Sequence, residues 1–87
     1  MSQTEQATPK MTITLFPRGE LAVHFGRTRT GVPIELAPGT TIAQMLRDLG
    51  VPEGEVWMIA RNGSLAKVGE TLEPGDSVEM FAPVAGG

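Results

Sequence analysis

Thr41-Ile-Ala-Gln-Met-Leu-Arg-Asp-Leu-Gly50 is the stretch on which the fold turns. Ile42, Met45, Leu46 and Leu49 recur at i, i+3, i+4 and i+7, which places them on one face of a helix. Thr41, just ahead of them, can cap the N-terminus, and Gln44, three residues on, can complete a capping box. Gly50 suits the left-handed position that ends a helix, and Pro52 prevents its continuation. A helix of about nine residues is not stable alone in water. Its apolar stripe must therefore lie on a sheet, which the rest of the chain must supply.

Before the helix, Met11-Thr-Ile-Thr-Leu-Phe16 alternates Met11, Ile13 and Leu15 with Thr12 and Thr14, the period of a strand. Pro17-Arg-Gly19 is expected to break it. In Glu20 to Gly31, Leu21, Val23 and Phe25 alternate, but Gly26 and the run Arg27-Thr-Arg-Thr30 predict a long exposed loop or the start of a second strand. Val32, Ile34 and Leu36 alternate with Pro33 and Glu35, and the proline puts this strand at an edge or near its beginning. Ala37-Pro-Gly39 turns the chain into the helix.

After the helix, Val56-Trp-Met-Ile-Ala60 is a continuous apolar run consistent with a central strand, with Trp57 read as core or half-buried sheet. Asn62-Gly63 is a strong hairpin signal, since both central positions of such a turn need positive φ. Leu65 to Val68 can return as a short strand. Glu73-Pro-Gly-Asp76 is a turn with Gly where types I and II accept it. Ser77 to Ala82 is the last strand, Val78 and Met80 sharing a face, and Pro83 ends it. Residues 1–10 read as a flexible leader, 11–83 as the folded domain and 84–87 as a flexible tail. Two strands, one helix, then three strands is the order of an α+β β-grasp. The expectation is a mixed four- to five-stranded sheet packed on one helix, with its first and last strands adjacent or nearly so.

The 87 residues suffice for one core. They contain no cysteine, no tyrosine and one histidine, His24, so a cysteine nucleophile, a disulfide framework and a thiolate or multi-histidine metal site are excluded. No catalytic residue and no metal site are expected, and the protein is read as no enzyme in its own right. A net charge of −3 argues against nucleic acid, which demands a basic surface. No apolar run approaches the roughly 20 residues that span a bilayer, and residues 1–10 are no secretory signal. The expectation is a cytoplasmic protein without membrane or nucleic-acid partners.

Against that sparse inventory stands the end of the sequence, Gly86-Gly87. An arm without β-carbons can enter a narrow channel in another protein. A carboxylate at its tip is inert until its oxygen becomes a leaving group. Transfer of AMP from ATP achieves this, with the magnesium ion and phosphate clamp supplied by an activating enzyme. The acyl-adenylate can then be attacked by sulfide or by an amine. Such a carrier needs no base or nucleophile of its own.

The ending Phe81-Ala-Pro-Val-Ala-Gly-Gly87, with Leu36-Ala-Pro-Gly-Thr-Thr-Ile42, Ala60-Arg-Asn-Gly63 and Leu72-Glu-Pro-Gly-Asp76, resembles the ThiS/MoaD family of ubiquitin-like sulfur carriers, over roughly Met11 to Gly87. The Pro-Val-Ala-Gly-Gly ending is similar to that of the molybdopterin-synthase small subunit. The resemblance implies that Gly87 is adenylated by a ubiquitin-activating-like adenylyltransferase and converted to a thiocarboxylate. ATP and magnesium belong to that partner, and the carrier binds no cofactor itself. The sulfur would pass to a precursor held by a sulfur-accepting synthase subunit, in molybdenum- or tungsten-cofactor assembly. Thiamine-type or tRNA-thiolation carriage, a ubiquitin-like protein modifier and a plain β-grasp interaction domain are the alternatives.

On this reading Val84, Ala85 and Gly86 occupy the partner's channel, and Phe81 and Pro83 form a docking patch at its mouth. Glu73, Asp76 and Glu79 read as solvated charges, and Arg18, Arg27 and Arg29 as surface.

Overall fold

The computed structural model describes residues 10–25 and 30–83, and of residues 20, 23 and 24 the backbone alone. Five strands and one helix follow in order: β1 (Met11–Arg18), β2 (Val32–Leu36), α1 (Ile42–Leu49), β3 (Met58–Arg61), β4 (Ser64–Ala66) and β5 (Ser77–Phe81). They form one mixed sheet in the order β2-β1-β5-β3-β4. β1 and β5 pair in parallel at its centre, Leu15 opposite Val78. The other pairings are antiparallel. This is the β-grasp arrangement expected, with the first and last strands adjacent.

Helix α1 forms as its sequence predicts. Thr41 Oγ1 accepts from Gln44 N–H, and Gln44 Oε1 accepts from Thr41 N–H. The first-turn N–H groups of Ile42 and Ala43 donate to the carbonyls of Glu70 and Val68, so the helix start is tied to the loop before β5. Gly50 closes the helix in the left-handed conformation at φ 76°. Ile42, Met45 and Leu46 are fully buried against Ile13, Leu15, Val78 and Met80 of the two central strands. The Asn62-Gly63 hairpin is present, with φ of 54° and 85°, and Arg61 pairs with Ser64 across it.

Three expectations are corrected. Pro17 does not break β1, which runs on to Arg18. Thr14 N–H donates to the Asp76 carbonyl, so even-numbered residues of β1 address β5 and Pro17 lacks its N–H on the β2 side. Pairing with β2 ends at Leu15, so the missing donor costs no ladder bond. Residues Gly19–Phe25 are neither strand nor plain loop but a 3-10 helix. It anchors Leu21, buried to 1% exposure, with Phe25 partly buried against the core, and the period-two spacing there does not make a strand. Trp57, read as core or half-buried, is 64% exposed. Its N–H donates to the Phe81 carbonyl, while Phe81 is also the register partner of Met58. Two residues opposing one is the arrangement of a β-bulge, which interrupts the alternation that would have turned Trp57 inward.

Candidate functional site

β5 carries the chain toward Val84 to Gly87 and is the innermost strand of the sheet, held by β1 on one flank and β3 on the other. Its last residue, Phe81, is opposite Arg18 of β1 and Met58 of β3. The Phe81 carbonyl is further engaged at 2.7 Å by Trp57 N–H. The root of the tail is thus fixed from both sides. Val78 and Met80 point into the core, so the pleat puts Phe81 and Glu79 on the face away from α1. Phe81 is half-buried there, Ala82 packs against the core and Pro83 is exposed. Val84, Ala85, Gly86 and Gly87, expected in the partner's channel and at the reactive end, lie outside the described residues, as do Arg27, Arg29 and residues 1–9.

Around Phe81 the open face carries Phe16, Arg18, Met58 and Glu79. The Arg18 guanidinium lies 5.3 Å from the Phe16 ring centroid and 2.8 Å from a Glu79 carboxylate oxygen. Both side chains are partly exposed to water, so the pair adds little stability and mainly sets where the charges stand. The result is an apolar patch crossed by one ion pair, next to the strand end from which the tail departs. Met58 belongs to this patch and Trp57 adjoins it through the Phe81 carbonyl, although sequence reasoning leaves both out of the site. An apolar run does not say which of its members faces water.

At the opposite end of β5, Asp76 is not the solvated turn charge expected. It is buried, accepting from Arg61 Nε at 2.7 Å, Asn62 Nδ2 at 2.9 Å and Glu73 N–H at 2.8 Å. Burial alone would push its carboxyl up, but the hydrogen bonds from Asn62, Glu73 and Arg61, with the guanidinium charge, outweigh it and hold the carboxyl below its ordinary range. The same bond raises Arg61. This cluster stitches the hairpin to the start of β5. Among the described residues no group of three or more His, Cys, Asp or Glu could hold a metal, and no helix is long and apolar enough to cross a membrane.

Several solved structures share the architecture. Small archaeal modifier protein 1 from Haloferax volcanii is 26% identical, with a TM-score of 0.68 over 87% of this chain and 99% of its own. The Haloferax volcanii HVO 2177 protein is 22% identical, with a TM-score of 0.74 over 98% of this chain and 94% of its own. A Pyrococcus furiosus protein described as a putative molybdopterin converting factor, subunit 1, is 23% identical, with a TM-score of 0.66 over 85% and 99%. No curated protein sequence matches. The ThiS family model matches residues 24–87, more than half of the chain and through the Gly86-Gly87 end. With its β-grasp sheet, its central tail-bearing strand and that match, the chain belongs to the ThiS family of small ubiquitin-like carrier proteins.

Proposed function

We propose that this protein is a sulfur carrier whose Gly87 carboxylate is adenylated by a partner adenylyltransferase and converted to a thiocarboxylate. The observation that carries the reading is the family match running through Gly86-Gly87, beyond a strand end held from both sides. In the first step a Gly87 carboxylate oxygen attacks the α-phosphorus of ATP, the bond to pyrophosphate breaks, and the carboxylate becomes a mixed anhydride. In the second, sulfide attacks the Gly87 carbonyl carbon, the carbon–oxygen bond to AMP breaks, and AMP leaves with that electron pair. No redox change occurs in either step. The partner supplies ATP and magnesium, and this chain contributes the tail and the surface that presents it. Val84, Ala85 and Gly86 thread the channel, while Phe81 and Pro83 meet its mouth.

For the acceptor we propose the molybdopterin pathway, on the strength of the Pro83-Val-Ala-Gly-Gly87 ending. Thiamine-type or thiolation carriage would use the same chemistry with another acceptor, so the adenylyltransferase and synthase that accept the protein distinguish them. A second reading, a modifier joined to lysine amines, is favoured by the 26% identity to small archaeal modifier protein 1. It shares the adenylation and differs in the nucleophile.

The test is ATP–pyrophosphate exchange with the cognate adenylyltransferase, followed by intact mass of natively isolated protein. Exchange together with replacement of one oxygen by sulfur is the expected result. Absence of exchange defeats the proposal. Exchange accompanied by covalent ladders on a cell blot, without sulfur in the tail, favours the modifier.

A further inference from the structure

Asn62 is the only asparagine in the chain, and Gly63 follows it. Such a pair is open to attack by the next backbone nitrogen on the side-chain amide, since glycine puts no β-carbon in the way. Loss of a proton from the Gly63 N–H lets that nitrogen attack Asn62 Cγ. The bond from Cγ to Nδ2 breaks, and ammonia leaves with a proton. Water then opens the cyclic imide at one carbonyl or the other, leaving aspartate or isoaspartate. Nothing is oxidised or reduced, and water is the one co-reactant. Asn62 and Gly63 are both exposed at the hairpin tip, so water reaches them.

The fold, however, holds that amide by both ends. Asn62 Oδ1 accepts from Ser77 N–H at 2.9 Å, and Nδ2 donates to Asp76 Oδ1 at 2.9 Å. The Asn62 N–H also donates to the Ser77 carbonyl at 2.7 Å, so backbone and side chain together clasp the first residue of β5. Ring closure carries Cγ to the Gly63 nitrogen, and both side-chain bonds must break for that. Once the amide has become an acid, the clasp does not re-form. Ser77 N–H still finds an acceptor, but an oxygen faces Asp76 Oδ1 where a donor stood. Two carboxylates at that distance repel, and Asp76 is buried where water screens little. Isoaspartate adds a carbon to the main chain of a two-residue turn whose flanks pair at Arg61 and Ser64. We propose that Asn62-Gly63 is a deamidation site, kept shut by the hydrogen bonds to Asp76 and Ser77, that records irreversibly the opening of the hairpin from β5.

The full-length protein, aged at one mildly alkaline pH in buffer and in unfolding urea, tests it. Peptide mass mapping reads the amide-to-acid change, and methyl transfer from S-adenosylmethionine by an isoaspartate carboxyl methyltransferase reads the isoaspartate. Residue 62 should convert more slowly in buffer than in urea by about tenfold or more, because only the opened fraction reacts. Asp76→Ala frees one end of the amide and should convert faster than the parent in buffer, at a temperature where both are folded. Asn62→Asp should lower the melting temperature at pH 7 by about 4–8 °C. Adding Asp76→Asn to it returns a donor to the pair and should recover part of that loss. These two variants still decide the matter if Asp76→Ala does not fold. Equal conversion in buffer and urea, or in folded Asp76→Ala and the parent, overturns the clasp. No conversion at residue 62 in urea overturns the site. An Asn62→Asp protein that melts with the parent, or whose loss Asp76→Asn only deepens, overturns the irreversible record.

Discussion

Asp76 shows how far a side chain's role can lie from its local appearance. In Glu73-Pro-Gly-Asp76 it reads as turn polarity, yet its oxygens hold Arg61 and Asn62 as well as the N–H of Glu73 within its own turn. Asp76→Ala removes the acceptor shared by three part-buried hydrogen bonds and should cost about 2 kcal/mol, measured by urea denaturation. The same carboxylate makes stability pH-dependent. Its folded pKa lies below the unfolded one, so its contribution is complete at neutral pH. That contribution should be lost as the pH falls from about 4 downward, and Asp76→Ala should flatten that limb of the profile. An Asp76→Ala protein as stable as the parent at pH 7 would mean that the cluster is only decorative. Trp57 misleads for the same reason as Asp76. Each owes its environment to a residue well away in the chain, Phe81 in one case and Arg61 in the other.

The elements themselves are largely legible. Helix α1 begins at the capping box of Thr41 and Gln44 and ends at Gly50, because both signals act within four residues of where they stand. Leu46 is fully buried beneath it. Leu46→Ala should destabilise the protein by about 2–5 kcal/mol, the range for a buried leucine truncation, and a loss below about 1 kcal/mol would show that the stripe is not core. Thr41→Ala removes the acceptor of one first-turn N–H and should cost about 1 kcal/mol by thermal unfolding, with Thr41→Ser close to neutral. The hairpin at Asn62-Gly63 follows from the positive φ that both residues accept. At Pro17 and at Gly19–Phe25 the local signal is genuine, but its meaning depends on a neighbour. A proline is harmless where the adjacent strand has already ended, and Leu21 reaches the core from a 3-10 turn whose period of three the alternation around it does not follow.

Taken whole, the molecule separates what folds it from what is proposed to work. Among the described residues every buried apolar side chain lies between Met11 and Met80, while the proposed chemistry sits at Gly87. Deleting Gly87 should therefore leave the melting temperature unchanged. It should abolish ATP–pyrophosphate exchange, since it shifts the carboxylate by about 3.5 Å, against the roughly 1 Å tolerance of a reacting geometry. Extending the chain past Gly87 should abolish exchange equally, because the reactive group becomes an amide. A folded deletion variant that exchanges at the parent rate would refute the carrier. Of the candidate site, Phe81, Pro83 and the Gly-Gly ending can be named from residue order, since each is a local feature of the last strand and of the short segment after it. The helix, the turns and the β-grasp order are open to the same reading, because interactions between near neighbours in the chain set each of them. The adjacency of β1 and β5 is expected from the crossover, but their register, the exposure of Trp57 beside Phe81 and the burial of Asp76 against Arg61 are not. Those depend on which distant segments the sheet brings side by side, and no local pattern records the neighbour that will be waiting there.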